Sequence, residues 1–403
     1  MVGYGLPNCS HAGLRARLGF EAMTGNRVQS IDVARGVIMA LMAIDHVRVF
    51  AGVPAGGVTA GLFLTRWVTN FCAPGFVFFA GVSIFLHGQK FAGESARATR
   101  RLVLRGAWLV LLEMTFLRLA WTFNLDFAHY MLAGVIWMLG WCMILMGALV
   151  RLPVWANAVF GLAIIAGHNI IPMVMNGPFG WFWKILYFGG GIAVGGAAEP
   201  NFFVLYSIIP WIGVMSAGYA FAVILRMPPE RRDRICYAIG IGAVFGFLVL
   251  RYFNVYGDRP WVVRPQVPAW ISFLNTSKYP ASLQFLLMTL GPTIAVLPLL
   301  ERARGKMAQW LTVLGRTPLF YYLLHIPLIH AVAVLISLVR TPSATWWLFT
   351  NHPMRPADVP EGYTWSLGLL YLVTAMVVTA LYFVCRWFAE FKSRRKYTWL
   401  AYL

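Results

Sequence analysis

The chain has 403 residues, of which 60% are hydrophobic and 12% are charged. Soluble domains are roughly 45–50% apolar and about 25% charged, so this composition excludes an ordinary soluble protein. The formal net charge is +19, but the basic residues stand in short clusters between apolar runs. That arrangement is typical of the cytosolic loops of a polytopic membrane protein, and we therefore predict no nucleic-acid partner.

Apolar segments recur along the whole chain and predict about ten transmembrane helices, each long enough to cross a bilayer of about 30 Å. The predicted spans are residues 29–50, 67–88, 102–121, 130–150, 152–171, 202–225, 235–253, 281–300, 317–339 and 366–387. The fifth follows the fourth almost directly, and a re-entrant fifth segment would move every later loop to the other side. We predict an all-α polytopic protein with one membrane domain at 28–388, an N-terminal segment at 1–27 and a basic tail at 389–403.

The distribution of lysine and arginine indicates the orientation. With the N-terminus inside, 22 of these residues lie on the cytosolic side and ten on the other side. Because cytosolic loops carry an excess of lysine and arginine, both termini are predicted to be cytosolic. The long loop at 251–280, which would then face outward, mixes charged and aromatic residues. It forms either one wall of a polar-substrate site or a plain interfacial belt.

The first span carries four ionisable residues, namely Asp32, Arg35, Asp45 and His46. Ionisable residues inside a membrane are costly and usually face the bundle interior, which makes them candidates for function. Arg35 and His46 are 11 residues apart, so they share one helix face at a separation of about 16 Å. Asp32 is expected to pair with Arg35, and Asp45 is expected to meet Arg48 or Val49 one turn on.

A histidine in the outer half of the bilayer can stay neutral and accept a proton, as general-base catalysis near pH 7 requires. We therefore predict that His46 is catalytic, with Asp45 beside it. Structural roles remain as alternatives. Arg35 could snorkel or pair two helices, and His46 could be a hydrogen-bonded histidine between helices.

Further polar residues extend the candidate site. Glu113 lies near the middle of the third span and needs a partner on another helix, for which Arg35 is a candidate. We predict that Glu113 and Asp32 form structural ion pairs. Substrate-binding candidates beside His46 are Asn70, Asp126 and His129, for which capping or loop roles are the simpler alternative. No cysteine or histidine pattern has metal-ligand spacing, so no metal is predicted.

The spacing of Arg35 and His46 resembles the arginine, ten residues, histidine signature of the transmembrane acyltransferase superfamily, which includes the acyltransferase-3 group. Two longer strings, VQSIDVARGVIMALMAIDHVR and LGRTPLFYYLLHIPLIH, resemble bacterial relatives of heparan-α-glucosaminide N-acetyltransferase most specifically. Three more strings, TRWVTNFCAPGFVFFAG, IIPWIGVMSAGYAF and KYPASLQFLLMTLGP, extend the resemblance over residues 28–331.

The resemblance implies about ten helices that take an acyl group, typically acetyl, from cytosolic acyl-CoA. The acceptor would be an extracytoplasmic sugar, amino sugar or other small molecule, and the membrane would be the bacterial inner membrane. His46 would be the catalytic histidine and Arg35 part of the donor path. The sequence departs from the animal lysosomal enzymes at one point. Those enzymes have asparagine where His46 stands and a later catalytic histidine, whereas residues 49–64 here contain no histidine.

Four more residues are candidates for binding acyl-CoA. Arg97 and Arg100 fit an arginine, two residues, arginine pattern of the acyltransferase-3 group, and with Arg101 they are suited to phosphate recognition. Membrane topology and anionic lipid explain these arginines equally well. His325 precedes Pro327, which disrupts the helix. It would line the acyl-CoA channel or accompany His46, and contact between helices is the alternative.

Two functions from different classes follow. In the first, a hydroxyl or amine attacks the acyl group with His46 as general base, in a ternary complex or through an acyl-imidazole. In the second, Asp32, Arg35 and Asp45 form the charged pathway of a transporter or flippase. The sequence shows no internal repeat of the kind found in many transporters. It leaves homo-oligomerisation open.

Overall fold

The computed structural model describes residues 28–57, 59–89, 94–175, 180–351 and 358–395. The N-terminal segment 1–27 and the tail residues 396–403 lie outside these ranges. Helices dominate the described chain, which confirms the all-α class. In chain order they are α1 (Gln29–Phe50), α2 (Ala60–Gly88), α3 (Ser95–Leu112), α4 (Arg118–Thr122), α5 (Val135–Leu149), α6 (Val154–Val174), α7 (Trp181–Trp183), α8 (Ile209–Leu225), α9 (Pro229–Phe253), α10 (Ala269–Leu274), α11 (Leu283–Arg302), α12 (Lys306–Arg316), α13 (Pro318–Arg340) and α14 (Leu367–Arg394).

Within the described ranges, six helices are long and apolar enough to cross a membrane by length and composition: α2, α6, α9, α11, α13 and α14. Helices α5 and α8 are apolar but shorter. Helix α1 has 22 residues and carries the charged residues of the first predicted span. Most of each of the ten predicted segments is helical. The number of crossings and the side of each terminus stay predictions.

Three short strands were not predicted. Strand β1 (Met131–Ala133) pairs in parallel with β3 (Phe202–Val204), which pairs antiparallel with β2 (Gly190–Ile192). Strands β1 and β3 lie at the starts of the fourth and sixth predicted spans. The predicted helices were therefore too long there, because short apolar runs of this kind fit a strand as well as a helix.

Capping residues explain where several helices begin. The Ser282 hydroxyl accepts from the backbone N–H of Phe285 at the start of α11, and Ser366 does the same for Leu369 in α14. At the start of α1, the Glu301 carboxylate accepts from the backbone N–H of Ser30 at 2.7 Å. A carboxylate is favourable at that end because the free N–H groups carry partial positive charge.

Helix α1 lies at the centre of the bundle and packs against α2, α12, α13 and α14. Its crossing with α12 is close because glycine stands on both helices. A Cβ on Gly36 would overlap the carbonyl of Leu311, and a Cβ on Gly315 would overlap the carbonyl of Asp32. Small residues allow such backbone contacts between membrane helices. The crossing places α12 and the start of α13 directly against the charged helix.

Gly315→Ala is expected to lower the stability of the protein by about 1–3 kcal/mol, because the added methyl group forces α12 away from α1. The midpoint of thermal unfolding in detergent measures this loss. Gly242→Ala in α9 is the matched control, since a Cβ there meets no atom within 4 Å. Equal midpoints for the two variants would contradict the close crossing.

Candidate active site

Two histidines from distant parts of the chain meet near the C-terminal end of α1. His46 Nδ1 lies 2.5 Å from Nε2 of His325 in α13. Their rings are stacked, with centroids 4.7 Å apart and planes inclined by 29°. His325 is fully buried, whereas His46 is half-buried. The structure places His325 against His46, and the same pairing is also a contact between helices α1 and α13.

A chain of hydrogen bonds assigns the proton positions of this histidine pair. The backbone carbonyl of Tyr322 lies 2.6 Å from Nδ1 of His325. A carbonyl oxygen only accepts, so Nδ1 of His325 carries a proton, and Nε2 of the neutral ring carries none. His46 must then donate from Nδ1 to His325. Nε2 of His46 is therefore left unprotonated, which makes it the atom that can accept a proton from a substrate.

Aromatic side chains hold the His46 ring in place. Trp121 presents its ring at 80° to His46 with centroids 4.9 Å apart, and Tyr322 stands at 90° with centroids 6.3 Å apart. Trp121 is itself buried and stacks on Phe50 at 5.5 Å. These contacts restrict rotation of the imidazole, so the orientation set by the histidine pair is maintained.

Four charged residues, Asp45, Arg48, Arg66 and Lys278, form what we call the cationic cluster. Arg48 Nε lies 3.1 Å from the Asp45 carboxylate, which confirms the expected contact one turn along α1. The charges of Arg66 and Lys278 also act on Asp45, and the charge of Lys278 acts on His46. Asp45 directly precedes His46 on α1, so the cluster lies beside the histidine pair.

Asn70 contacts the cationic cluster through Arg66, whose guanidinium donates to the Asn70 side-chain oxygen at 2.9 Å. Lys278 is 7% exposed, and its ammonium faces the rings of Tyr279 at 5.4 Å and Tyr206 at 6.0 Å. Sequence reasoning did not single out Arg66, Lys278 or the two tyrosines as site residues. The mixture of charge and aromatics in the 251–280 loop was the available signal for Lys278 and Tyr279.

Arg35 lies on α1 toward its N-terminal end. Its guanidinium donates to the Phe79 carbonyl at 2.8 Å and to the Ser83 hydroxyl, both on α2. Asp32 lies 4.0 Å from Arg35 and 3.4 Å from Nε of Arg316 at the end of α12. The expected pair of Asp32 and Arg35 is thus present, and Arg316 is a further partner that the sequence did not reveal.

The family model described as heparan-α-glucosaminide N-acetyltransferase, catalytic, matches residues 27–249, more than half of the chain. The chain belongs to this family. No curated protein matches it. Membership supports a membrane acetyltransferase-type function and does not favour the transporter alternative. The matched part of this acetyltransferase family member includes His46 and Arg66 and ends before Lys278 and His325.

The structure corrects the expected ion pair of Glu113. Its buried carboxylate accepts from the backbone N–H groups of Ile136 at 3.0 Å and Trp137 at 3.2 Å. Both groups belong to the first turn of α5, where unpaired N–H donors favour a carboxylate. Glu113 therefore caps a helix in this acetyltransferase family member and forms no salt bridge among the described residues. A capping partner on another helix leaves no trace in the local sequence.

Asp126 and His129 do not reach the histidine pair. His129 Nδ1 lies 2.6 Å from the Asp126 carboxylate, which also accepts from the Asn351 amide at 3.2 Å. The His129 side chain is 76% exposed. No contact in the described part of the chain joins either residue to His46. The two residues instead order a surface turn after α4, so the structure does not bring them to the proposed substrate site.

The arginines of α3 lie on a different helix pair from Arg35, because α3 packs mainly against α5. Arg97 is exposed and forms a salt bridge of 3.0 Å with Glu94. Arg100 is exposed and Arg101 is half-buried. The structure therefore leaves these arginines accessible, on a helix that packs mainly against α5.

Proposed function

We propose that the protein is an acyltransferase of the bacterial inner membrane that moves an acetyl or other acyl group from cytosolic acyl-CoA to an extracytoplasmic acceptor. The acceptor class is a sugar, an amino sugar or another small molecule, and His46 is the general base. The observation that carries the proposal is the hydrogen-bond chain from the Tyr322 carbonyl through His325, because it leaves Nε2 of His46 unprotonated. Membership of the acetyltransferase family supports the reaction class.

The chemistry needs one proton acceptor that later returns the proton. The acceptor hydroxyl or amine attacks the thioester carbonyl and gives its proton to Nε2 of His46. The tetrahedral intermediate then collapses, the carbon–sulfur bond breaks, and the imidazolium returns the proton to the CoA sulfur. The products are the acylated acceptor and free CoA. In the acyl-histidine alternative, the same Nε2 would attack the thioester first, and the acceptor would then take the acyl group.

Arg35 is proposed to hold the polar stem of the donor. It stands 11 residues before His46 on α1, a distance of about 16 Å along the helix, which an extended pantetheine arm can span. Arg97, Arg100 and Arg101 would contribute to phosphate recognition from the neighbouring helix pair, since arginine binds phosphate through two N–H groups at once. Asp32, which also pairs with Arg316, would hold Arg35 in position by charge.

Titration of CoA into the purified protein in detergent tests this proposal. Wild-type protein is expected to bind CoA, and Arg35→Gln is expected to bind it about tenfold or more weakly, because a charge-assisted hydrogen bond is lost. Arg386→Gln on α14 is the control, since Arg386 is exposed and pairs with Glu390 at 3.2 Å. Absence of CoA binding to the wild type would reject the proposed function. Equal affinity in Arg35→Gln and wild type would remove Arg35 from the donor path.

A further inference from the structure

The cationic cluster contains more positive than negative charge. Asp45 is its single carboxylate and already forms a salt bridge with Arg48. Arg66 donates to neutral oxygens, those of Asn70 at 2.9 Å and Thr69 at 3.3 Å. Among the described residues, neither Arg66 nor Lys278 forms a salt bridge with a carboxylate. The cluster thus has two more cations than anions.

The excess of positive charge is most unfavourable at Lys278, because its ammonium is buried. It is 7% exposed, and its ammonium contacts in the described chain are the ring faces of Tyr279 and Tyr206. Cation–π contacts offset only part of the cost of removing an ammonium from water. The carboxylate of the same loop, Asp258, is occupied by Ser277 N–H and by the Ser282 hydroxyl. An anion supplied by a ligand would complete the site.

The positive charges of Lys278 and Arg66 also act on the phenol of Tyr279. Burial raises the pKa of its phenol, but the charges of Lys278 and Arg66 outweigh burial and hold that pKa below its ordinary value. Tyr279 lies in the loop before α11, outside the helices that span the membrane. The lowered pKa means that the charges of Lys278 and Arg66 stabilise negative charge at the phenol oxygen of Tyr279.

We propose that the acceptor carries an anionic group, a carboxylate or a phosphate, which binds between Arg66 and Lys278 while its nucleophile faces His46. This inference rests on the proposed function and names the acceptor class. The positive cluster attracts an anion and repels a protonated amine. The protein would therefore select an acid-bearing sugar or similar molecule over a neutral sugar and over an amino sugar in its ammonium form.

Four probes test the inference: glucuronic acid, glucose 6-phosphate, glucose and glucosamine. Transfer from labelled acetyl-CoA is measured for each, and binding of each probe alone is measured as a rise in the thermal midpoint. The anionic probes are expected to have KM values about tenfold or more below those of glucose and glucosamine. The relative response to glucuronic acid and glucose 6-phosphate distinguishes a carboxylate site from a phosphate site.

The Lys278 variants decide where the anion binds. Lys278→Met is expected to abolish the preference for anionic probes in transfer and in the thermal shift, whereas Lys278→Arg keeps it. Lys184→Met is the control, because the Lys184 ammonium donates to the Gly191 carbonyl at 2.7 Å. A preference that survives Lys278→Met, or a wild type that prefers no anionic probe, would overturn the inference. If CoA does not bind, the proposed function fails, and the thermal shifts with the probes still decide the anion site.

Discussion

His46→Ala is expected to reduce acyl transfer by about 10²- to 10⁴-fold, since it removes the group that accepts the acceptor proton. CoA binding is expected to stay close to wild type, because Arg35 lies about 16 Å away along α1. Single-turnover transfer from labelled acetyl-CoA measures the chemical step, and a CoA titration measures donor binding. A folded His46→Ala protein that transfers acyl groups at nearly the wild-type rate would show that His46 is not the base.

The His46→Asn variant tests the role of His46 as general base separately from its hydrogen bond to His325. The asparagine amide can still donate to Nε2 of His325, so the pairing of α1 with α13 is preserved, but the amide cannot accept a proton at neutral pH. We expect the same loss of rate with little loss of thermal stability. His168→Asn is the control for replacing a buried histidine, since His168 contacts the Tyr187 hydroxyl at 3.3 Å and not the histidine pair.

Local helix geometry made part of the site predictable. The four ionisable residues of α1 stand at fixed intervals, so their spacing alone gave the pair of Asp32 and Arg35 and the contact of Asp45 with Arg48. His46 followed from the cost of placing an ionisable group inside a membrane. Each of these contacts lies within one helix, where 3.6 residues per turn determine which side chains meet.

The other parts of the candidate site depend on contacts between segments that are distant in the sequence, which local patterns do not show. His46 and His325 are 279 positions apart, and no periodicity in either helix shows that their rings stack. Lys278 reaches the site from a long loop, whose path depends on tertiary packing. For Glu113 the prediction was wrong. Its buried carboxylate was expected to have a charged partner, but it accepts hydrogen bonds from backbone N–H groups. Sequence patterns identify costly groups, whereas only the assembled fold shows how each cost is offset.

His325→Leu is expected to lower the transfer rate constant by about tenfold to 10²-fold with little change in the KM for acyl-CoA. Leucine removes the acceptor of the His46 Nδ1 proton, so the imidazole then populates both tautomers and loses its fixed orientation. His325→Gln is expected to restore part of the rate because its side-chain oxygen can accept the same proton. A purely packing role would instead give similar rates for His325→Leu and His325→Gln at equal thermal stability.

The double variant tests whether His325 acts through His46. If the role of His325 is to position the base, His325→Leu should have no further effect on transfer in a His46→Asn protein, because the base is already absent. Residues that act as a unit are non-additive in this way. Rate losses that multiply in the double variant would show that His325 contributes to catalysis independently. The hydrogen-bond chain from the Tyr322 carbonyl predicts that they do not multiply, since it ends on Nδ1 of His46 and so acts on transfer only through that ring.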